Sequence, residues 1–493
     1  MSSWVNQYLV LVVLLHFFTT FFVALAVLCT KPRNMNTMTS SSTVLLALLA
    51  IVPWSARSLT PPPRFVMNLD SPASTRWNGA VKAVLDVHPF EWSFGAAFSA
   101  HNTSMYNNVT EAQYQLIGNS FASHYPQNAD ELRGISAQFA DLGHYVSFEY
   151  LAAWVYFHEL AHTDIATPDS VARNGRSCCA VLARDATTKE IMHVGNMDQS
   201  PLAVRNVTLQ VEFRMNGSVV FEGVDWYWFT TGVTRAVREG MVSVQENWRT
   251  DGLLDSGTVL SQIQEGVVPQ VLVFRNLLTS VDPFRDAAAN FSQIVDHLSS
   301  VPLAAPFYII VAGSGGDGDG VVIARSNDGV AGPILRLSDA EASGSFFIAQ
   351  TNYDHWQPDS ADDPRRTVSA TQGSQRMLDK HGVNFKRAFF TQALEQYLNA
   401  MGSSVGTTEL GLFGAVSTFP AHNPDTAYTA VLRPDTGSLT AFVRTVRSSC
   451  KRQCVLLHPS VCDENCDMLD EQAMCPQDPD DPSVVTDSLY CRP

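Results

Sequence analysis

The chain has 493 residues, of which 45% are hydrophobic and 16% are charged, so it can bury one large core or two ordinary ones. The low charged content and 27 Phe argue against a disordered protein. A formal net charge of −16 argues against nucleic acid as a partner, because phosphate binding needs clustered Lys and Arg. An acidic balance suits an acidic compartment, but it is equally compatible with an ordinary acidic soluble protein.

Two apolar segments lie at the N-terminus. Tyr8 to Cys29 is long enough to span a bilayer, whereas Val44 to Val52 has the length of a signal-peptide core. We interpret residues 1–58 as a signal or leader segment. Two alternatives stay open: a signal anchor, or a true start at Met35 or Met38. Each alternative predicts entry into the secretory pathway.

The next segment, residues 59–177, is predicted to be helical. Pro61-Pro62-Pro63 marks a linker, and amphipathic patterning runs through about 111–162. This segment contains His158-Glu159-Leu160-Ala161-His162, the His-Glu-x-x-His spacing of zinc peptidases. Because no third ligand follows at a recognisable spacing, a zinc peptidase is only the less favoured alternative. We expect neither a metal nor a cofactor.

From Cys178 onward the sequence changes to short apolar runs separated by turns. Helical stretches are predicted near 267–298 and 386–401, and the Gly-rich run 313–320 is predicted to be a hairpin loop. Strands, then helices, then strands predict an α+β fold with two stacked sheets covered by helices. The predicted strands are Cys178 to Arg184, Glu190 to Val194, Thr208 to Phe213, Val219 to Phe221, Met241 to Val244, Phe307 to Ala312, Val321 to Ala324, Ser345 to Gln350 and Ala427 to Leu432.

Cys178 heads the first of these strands, and Asp198 follows one hairpin later. If the bond between Ser177 and Cys178 is cut, one residue supplies both a thiol nucleophile and a free α-amino group to act as its base. The pattern therefore predicts an N-terminal-nucleophile amidohydrolase.

Six of the nine cysteines crowd into the C-terminal part of the chain. An even set in a polar segment of a secreted chain is typical of disulfides, with zinc as the competing interpretation of the two Cys-x3-Cys pairs. Five sequons fit the same lumenal route. The cysteines are at 450, 454, 462, 466, 475 and 491, and the sequons are at Asn102, Asn108, Asn206, Asn216 and Asn290.

Several motifs, in order, resemble the acid ceramidase and N-acylethanolamine acid amidase family over roughly residues 65–454. They are Met67-Asn68-Leu69-Asp70 with Arg76-Trp77, Glu131-Leu132-Arg133-Gly134-Ile135, Thr351-Asn352-Tyr353-Asp354-His355-Trp356, and Asp362-Asp363-Pro364-Arg365-Arg366-Thr367. The resemblance implies a precursor that cuts itself before Cys178 and an αββα fold. It divides the chain up to residue 454 into a small subunit at 59–177 and a catalytic subunit at 178–454. The Cys-rich tail at 455–493 has no counterpart in the resemblance.

The resemblance also implies the site residues. Cys178 is the expected nucleophile and, once freed, base; Asp198 orients the freed amine. Asn352 is expected to donate an N–H to the oxyanion, and Arg365 to be a second polar anchor near the substrate.

Two points stay open in the sequence. Cys179 competes with Cys178, because neighbouring strand residues face opposite ways and only one can face the site. The family carries an Arg immediately before Asn-Met-Asp, where it can stabilise the thiolate, but this chain has Gly195 there. Either another cation, such as Arg205, substitutes for it, or activity is reduced or lost.

We therefore expect an acid amidase that hydrolyses N-acyl lipids, N-acylethanolamines or ceramide, into fatty acid and amine. Its expected partners are the lipid substrate, a membrane surface or lipid micelle, and its own two cleaved fragments, and the expected location is a lysosomal or other acidic lumen, or outside the cell. A non-catalytic lipid-binding relative is the alternative, with Gly195 as its sequence clue.

Overall fold

Two β-sheets and the helices around them make up the part of the protein that the computed structural model describes. The described residues are 59–166 and 178–444, without 186, 202, 250–253, 281–286, 316–317, 328, 353, 357–393, 396, 418–420 and 423–424. The predicted leader 1–58, the bond between Ser177 and Cys178, Arg365 and the tail 455–493 lie outside them.

The described residues of the N-terminal segment form six α-helices in addition to two short strands. Local signals begin its helices: Thr110 and Gln113 form a capping box before one, Pro126 occupies the first turn of the next, and the Ser147 side chain caps a third. The helices are α1 (Ala80–Leu85), α2 (Phe94–Ser104), α3 (Glu111–His124), α4 (Pro126–Asp141), α5 (Phe148–Val155) and α6 (Phe157–Ala161).

Fifteen strands follow one another along the described residues. They are β1 (Leu59–Thr60), β2 (Arg64–Asn68), β3 (Cys179–Arg184), β4 (Ile191–Asp198), β5 (Leu209–Met215), β6 (Ser218–Asp225), β7 (Arg235–Arg238), β8 (Val242–Trp248), β9 (Phe307–Gly313), β10 (Gly320–Ser326), β11 (Gly329–Val330), β12 (Leu335–Arg336), β13 (Phe347–Gln350), β14 (Thr426–Arg433) and β15 (Ser438–Arg444).

The strands form two sheets. In the described part of the chain, the six-stranded sheet has the order β1-β15-β14-β4-β3-β13. The nine-stranded sheet has the order β11-β10-β9-β8-β7-β6-β5-β2, with β12 paired to β10. All pairs are antiparallel except β2 with β5.

The remaining helices are α7 (Val204–Val207), α8 (Ser256–Glu265), α9 (Gln270–Thr279), α10 (Ala287–Ser300), α11 (Leu337–Ala342), α12 (Ser403–Gly406) and α13 (Glu409–Val416). Helix α13 packs on β3, β4 and β14 of the six-stranded sheet. Helix α9 packs on β6 and β7, and α10 on β9 and β10, of the nine-stranded sheet.

The two sheets lie face to face. Direct bonds cross between them: the Tyr428 hydroxyl donates to the Val224 carbonyl, and the Gln245 amide donates to the Cys179 carbonyl. Apolar side chains also pack in the interface, including Leu182 from one sheet and Ile310 from the other. The order of layers is therefore helix, sheet, sheet, helix.

The α+β class is confirmed, and each of the nine predicted strands is found. The hairpin at 313–320 is confirmed by the antiparallel pairing of β9 with β10. The sequence analysis did not predict β1, β2, β7, β11, β12 and β15, which are short or carry polar residues on one face. Only part of the predicted helix 386–401 is described. Among the described residues, no helix is both long and apolar enough to cross a membrane.

Candidate active site

Cys178 lies immediately before β3 and is buried. Its thiol donates to the main-chain carbonyl of Asp198 at 3.8 Å, and its Sγ lies 3.7 Å from Sδ of Met197. The β3–β4 register, which pairs Cys179 with Asn196, explains these contacts. The hairpin thus brings Cys178 and Asp198 to the same end of the six-stranded sheet.

Cys178 and Cys179 face different layers of the protein. Cys179 belongs to an apolar cluster with Val181, Leu412 and Val416, which lies between the six-stranded sheet and α13. Cys178 belongs instead to a separate and larger cluster of buried apolar residues, together with Met197. Burial raises the pKa of both thiols, that of Cys179 to about 12. The helix layer covers Cys179, so Cys178 is the cysteine placed between the sheets.

Asp198 ends β4 opposite Thr426 and is only 2% exposed. Its negative charge contributes to raising the pKa of both thiols, in addition to the larger effect of burial. A carboxylate so close to the head of β3 can hold an ammonium group formed there.

Asn352 lies at the same end of the sheet. Strand β13 pairs Gln350 with Ala180, so continuing that antiparallel register by two positions places Asn352 opposite Cys178. The Asn352 side chain is buried and donates to the Trp248 carbonyl at 2.6 Å. An amide nitrogen carries two hydrogens, so a second N–H is left for another acceptor.

A buried ion pair fixes the segment that contains Asn352. Arg249 binds Asp354 through two bonds of 2.8 and 2.9 Å, and the Tyr308 hydroxyl donates to the same carboxylate at 2.6 Å. The Asn247 amide also donates to the Gln350 carbonyl at 3.0 Å. The nine-stranded sheet therefore holds the end of β13 in place.

The structure brings three of the four predicted site residues, Cys178, Asp198 and Asn352, to one end of one sheet. Arg365, the fourth, falls in the range 357–393, which the structure does not describe.

Two charged residues near Cys178 were missed by the sequence analysis. Arg235 in β7 and Glu246 in β8 both act on the pKa of the Cys178 thiol through their charges. Burial raises the pKa of Glu246 to about 8, and the charge of Arg235 opposes that rise. Continuing the alternation of Val242 and Val244 beyond the predicted end of this strand would have brought Glu246 into it.

The residues of the His-Glu-x-x-His motif pack into the core. His158 bonds the Pro306 carbonyl at 3.0 Å, and the Glu159 carboxylate accepts the main-chain N–H of Gln270 at 2.6 Å. The His162 ring stacks on Trp248 at 3.9 Å. Burial lowers the pKa of His158 to about 4 and raises that of Glu159 to about 7. Within the described ranges, no three or more His, Cys, Asp or Glu side chains are grouped to hold a metal.

Comparison with known proteins gives no match to any protein-family model. The chain is similar to the N-acylethanolamine-hydrolyzing acid amidase of Caenorhabditis elegans, at 26% identity over 324 residues, which cover 62% of this chain and 78% of that protein. The enzyme of the same name from Rattus norvegicus is 28% identical over 259 residues, or 52% of this chain and 60% of the relative. The chain thus spans less than two thirds of the rat protein's length.

A solved structure of the Caenorhabditis elegans ortholog of this amidase aligns with a TM-score of 0.41 and 23% identity, covering 54% of this chain and 100% of that chain. The curated relatives confirm the resemblance of this chain to the acid ceramidase and N-acylethanolamine acid amidase family.

Proposed function

We propose that this chain is a self-processed cysteine amidase that hydrolyses the amide bond of N-acyl lipids, N-acylethanolamines or ceramide, at acidic pH. The observation that carries the proposal is the meeting of Cys178, Asp198 and Asn352 at one end of the six-stranded sheet. The relatives named as acid amidases support the same reaction class.

The layer order supports the αββα fold of N-terminal-nucleophile hydrolases. The strand pairing also supports two fragments that stay associated after a cut before Cys178. Strand β1 pairs with β15, and β2 pairs with β5, so the segment before the cut contributes a strand to each sheet. Main-chain hydrogen bonds would hold the fragments together without any covalent link.

In the proposed mechanism, cleavage of the bond between Ser177 and Cys178 frees the α-amine of Cys178. This amine takes the thiol proton, and the thiolate attacks the amide carbonyl carbon. Asn352 donates an N–H to the oxyanion, while Asp198 stabilises the ammonium. The C–N bond then breaks and the leaving amine takes the proton from the ammonium.

Water completes the reaction. It attacks the thioester carbon, its proton passes to the α-amine, and the fatty acid leaves as the thiol is restored. Arg365 is proposed as the second polar anchor for the substrate near this centre.

An exposed apolar patch supports contact with a lipid surface. Val87, Trp92, Leu142 and Tyr145 are exposed, with Trp92 at 56% and Tyr145 at 89%. Their segments meet where the rings of Phe90 and His144 stack at 3.8 Å. Exposed aromatic and aliphatic side chains gathered in this way are typical of protein or membrane contacts. We propose that this patch meets the membrane or micelle that carries the substrate, in a lysosomal or other acidic lumen or outside the cell.

The proposal is tested by expressing the full chain and its Cys178→Ala and Cys179→Ala variants. N-terminal sequencing reports cleavage, and release of fatty acid from a long-chain N-acylethanolamine and from a ceramide in mixed micelles reports activity. We expect a fragment that begins at Cys178 in the wild type and in Cys179→Ala, and an uncut, inactive chain in Cys178→Ala.

Fatty-acid release by Cys178→Ala, or its loss only in Cys179→Ala, would overturn the assignment of the nucleophile. An intact wild-type chain that binds these lipids without hydrolysing them would instead identify a non-catalytic lipid-binding relative.

A further inference from the structure

Gly195 in β4 leaves no room for a side chain. A Cβ atom there would lie 2.3 Å from Oε1 of Gln245 and 2.4 Å from the carbonyl oxygen of Cys179. The second contact is with main chain, so a movement of Gln245 alone would not relieve it. Strand β4 of this chain therefore cannot carry the arginine that the family resemblance places at position 195.

A guanidinium reaches the same place from the opposite sheet. The Arg235 side chain, from β7, is fully buried, and its Nη2 donates to the carbonyl of Asn196, the residue that follows Gly195. Its guanidinium carbon lies 5.2 Å from the centre of the Tyr428 ring. Among the described residues, neither Nε nor Nη1 has an acceptor.

A buried cation with unused donors is costly unless an anion is available to it. The charges around the Cys178 thiol show which anion fits. Burial raises the thiol pKa most strongly, the positive charge of Arg235 is the largest influence that lowers it, and the carboxylates of Asp198 and Glu246 raise it further. Arg205, by contrast, donates through Nε and Nη2 to the Thr426 carbonyl.

We propose that Arg235 supplies, from the nine-stranded sheet, the positive charge that the family resemblance places at position 195, and that it stabilises the thiolate of Cys178. The proposal rests on the proposed function, in which this thiolate attacks an amide. Arg235 is a positioning residue that acts on the thiolate through its charge. Its hydrogen bond is donated to the main-chain carbonyl of Asn196.

The test is a pH titration of the ultraviolet absorbance of the thiolate in the full-length purified protein. All variants carry Cys179→Ala. The absorbance of the matching Cys178→Ser protein is subtracted, so that the difference reports the Cys178 thiolate. We expect the apparent pKa of the Cys178 thiol to rise by about 1 unit or more in Arg235→Gln, which removes the charge. Arg235→Lys keeps a cation on a shorter side chain and should give a value between the two. Arg205→Gln, the matched control, should leave the titration unchanged.

An Arg235→Gln titration that coincides with the wild type would overturn the proposal, as would a rise as large in Arg205→Gln. If Arg235→Gln does not fold, Arg235→Met removes the same charge, and a Met variant that titrates like the wild type contradicts the proposal. Lipid hydrolysis is measured in parallel, where one pKa unit corresponds to about a tenfold loss of kcat/KM below the thiol pKa. A wild type that hydrolyses no lipid would refute the proposed function, while the titration would still decide the role of Arg235.

Discussion

The two sheets contribute differently to the candidate site. The six-stranded sheet brings together Cys178, Asp198 and Asn352 through strand register. The nine-stranded sheet supplies charge, with Arg235 and Glu246 acting on the pKa of the thiol and Arg249 binding Asp354. The difference teaches that one sheet sets the positions of the candidate site residues, while the facing sheet acts on the pKa of the Cys178 thiol and holds the segment that contains Asn352.

Removal of a charge that joins the two sheets should have the largest effect on stability. Asp354→Asn keeps the size of the side chain but leaves Arg249 buried without its anion. We expect the free energy of unfolding to fall by about 3–5 kcal/mol, as measured by denaturant unfolding. Lipid hydrolysis should also fall, since Asp354 fixes the segment that holds Asn352.

The matched control is Asp86→Asn in the exposed pair with Lys82, where the Asp86 side chain is 59% exposed. That change should cost less than about 1 kcal/mol. Equal losses in the two Asp→Asn variants would show that burial between the sheets adds nothing to the Arg249–Asp354 pair.

A smaller loss of stability should follow when a side chain is added at Gly195, where the six-stranded sheet contacts the facing sheet. Gly195→Ala must push apart Gln245 and the Cys179 main chain, and we expect a loss of about 1–3 kcal/mol in denaturant unfolding. The same substitution at Gly414 in α13 should be stabilising by about 0.5–1 kcal/mol, because alanine favours helix and the nearest atom to the new Cβ is 3.6 Å away. A neutral or favourable Gly195→Ala would contradict the close approach of the sheets.

Stability should also depend on pH, and the two sheets should respond in opposite directions. Glu246 binds a proton in the folded protein up to a pKa of about 8, whereas its ordinary value is 4.5, so stability falls as pH rises through that interval. His193 in β4 has its pKa lowered from 6.5 to about 3 by burial, with the charge of Arg235 adding to the effect. As pH falls, the unfolded chain therefore binds a proton at His193 before the folded protein does. Stability falls as pH drops below 6.5.

Thermal unfolding midpoints measured across this pH range should separate the two groups. Glu246→Gln should flatten part of the alkaline side of the profile, because burial also raises the pKa of Glu159 and Asp225. His193→Gln should flatten part of the acidic side. The acidic effect is partial because burial also lowers the pKa of His101, His158 and His422. Unchanged profiles in both variants would show that neither buried group controls the pH dependence.

The contrast between the sheets also explains what could be predicted from the sequence. Cys178 and Asp198 stand at the ends of continuous apolar runs joined by a short hairpin, so periodicity and motif order were enough to place them. Asn352 was placed by resemblance alone, because its register with Cys178 joins residues 174 positions apart in the numbering. The missing arginine at position 195 was visible in the sequence.

The replacement from Arg235 could not be predicted in the same way. Strand β7 is only 4 residues long and polar at both ends, so it gives no clear alternating pattern. Its contact with Asn196 crosses between sheets, and strand patterns within each sheet carry no information about which residues face each other across the interface. Physical packing alone decides that pairing.

The hairpin between β3 and β4 has a consequence for engineering. Its register closes with Arg184 opposite Ile191, and the Asp185 N–H donates to the Glu190 carbonyl at 2.8 Å. The tip is about 20 Å along the strand from Cys178, at roughly 3.3 Å per residue. Chain length can therefore change at the tip without shifting the strands, which makes it a suitable place to insert an affinity tag or a fluorescent reporter.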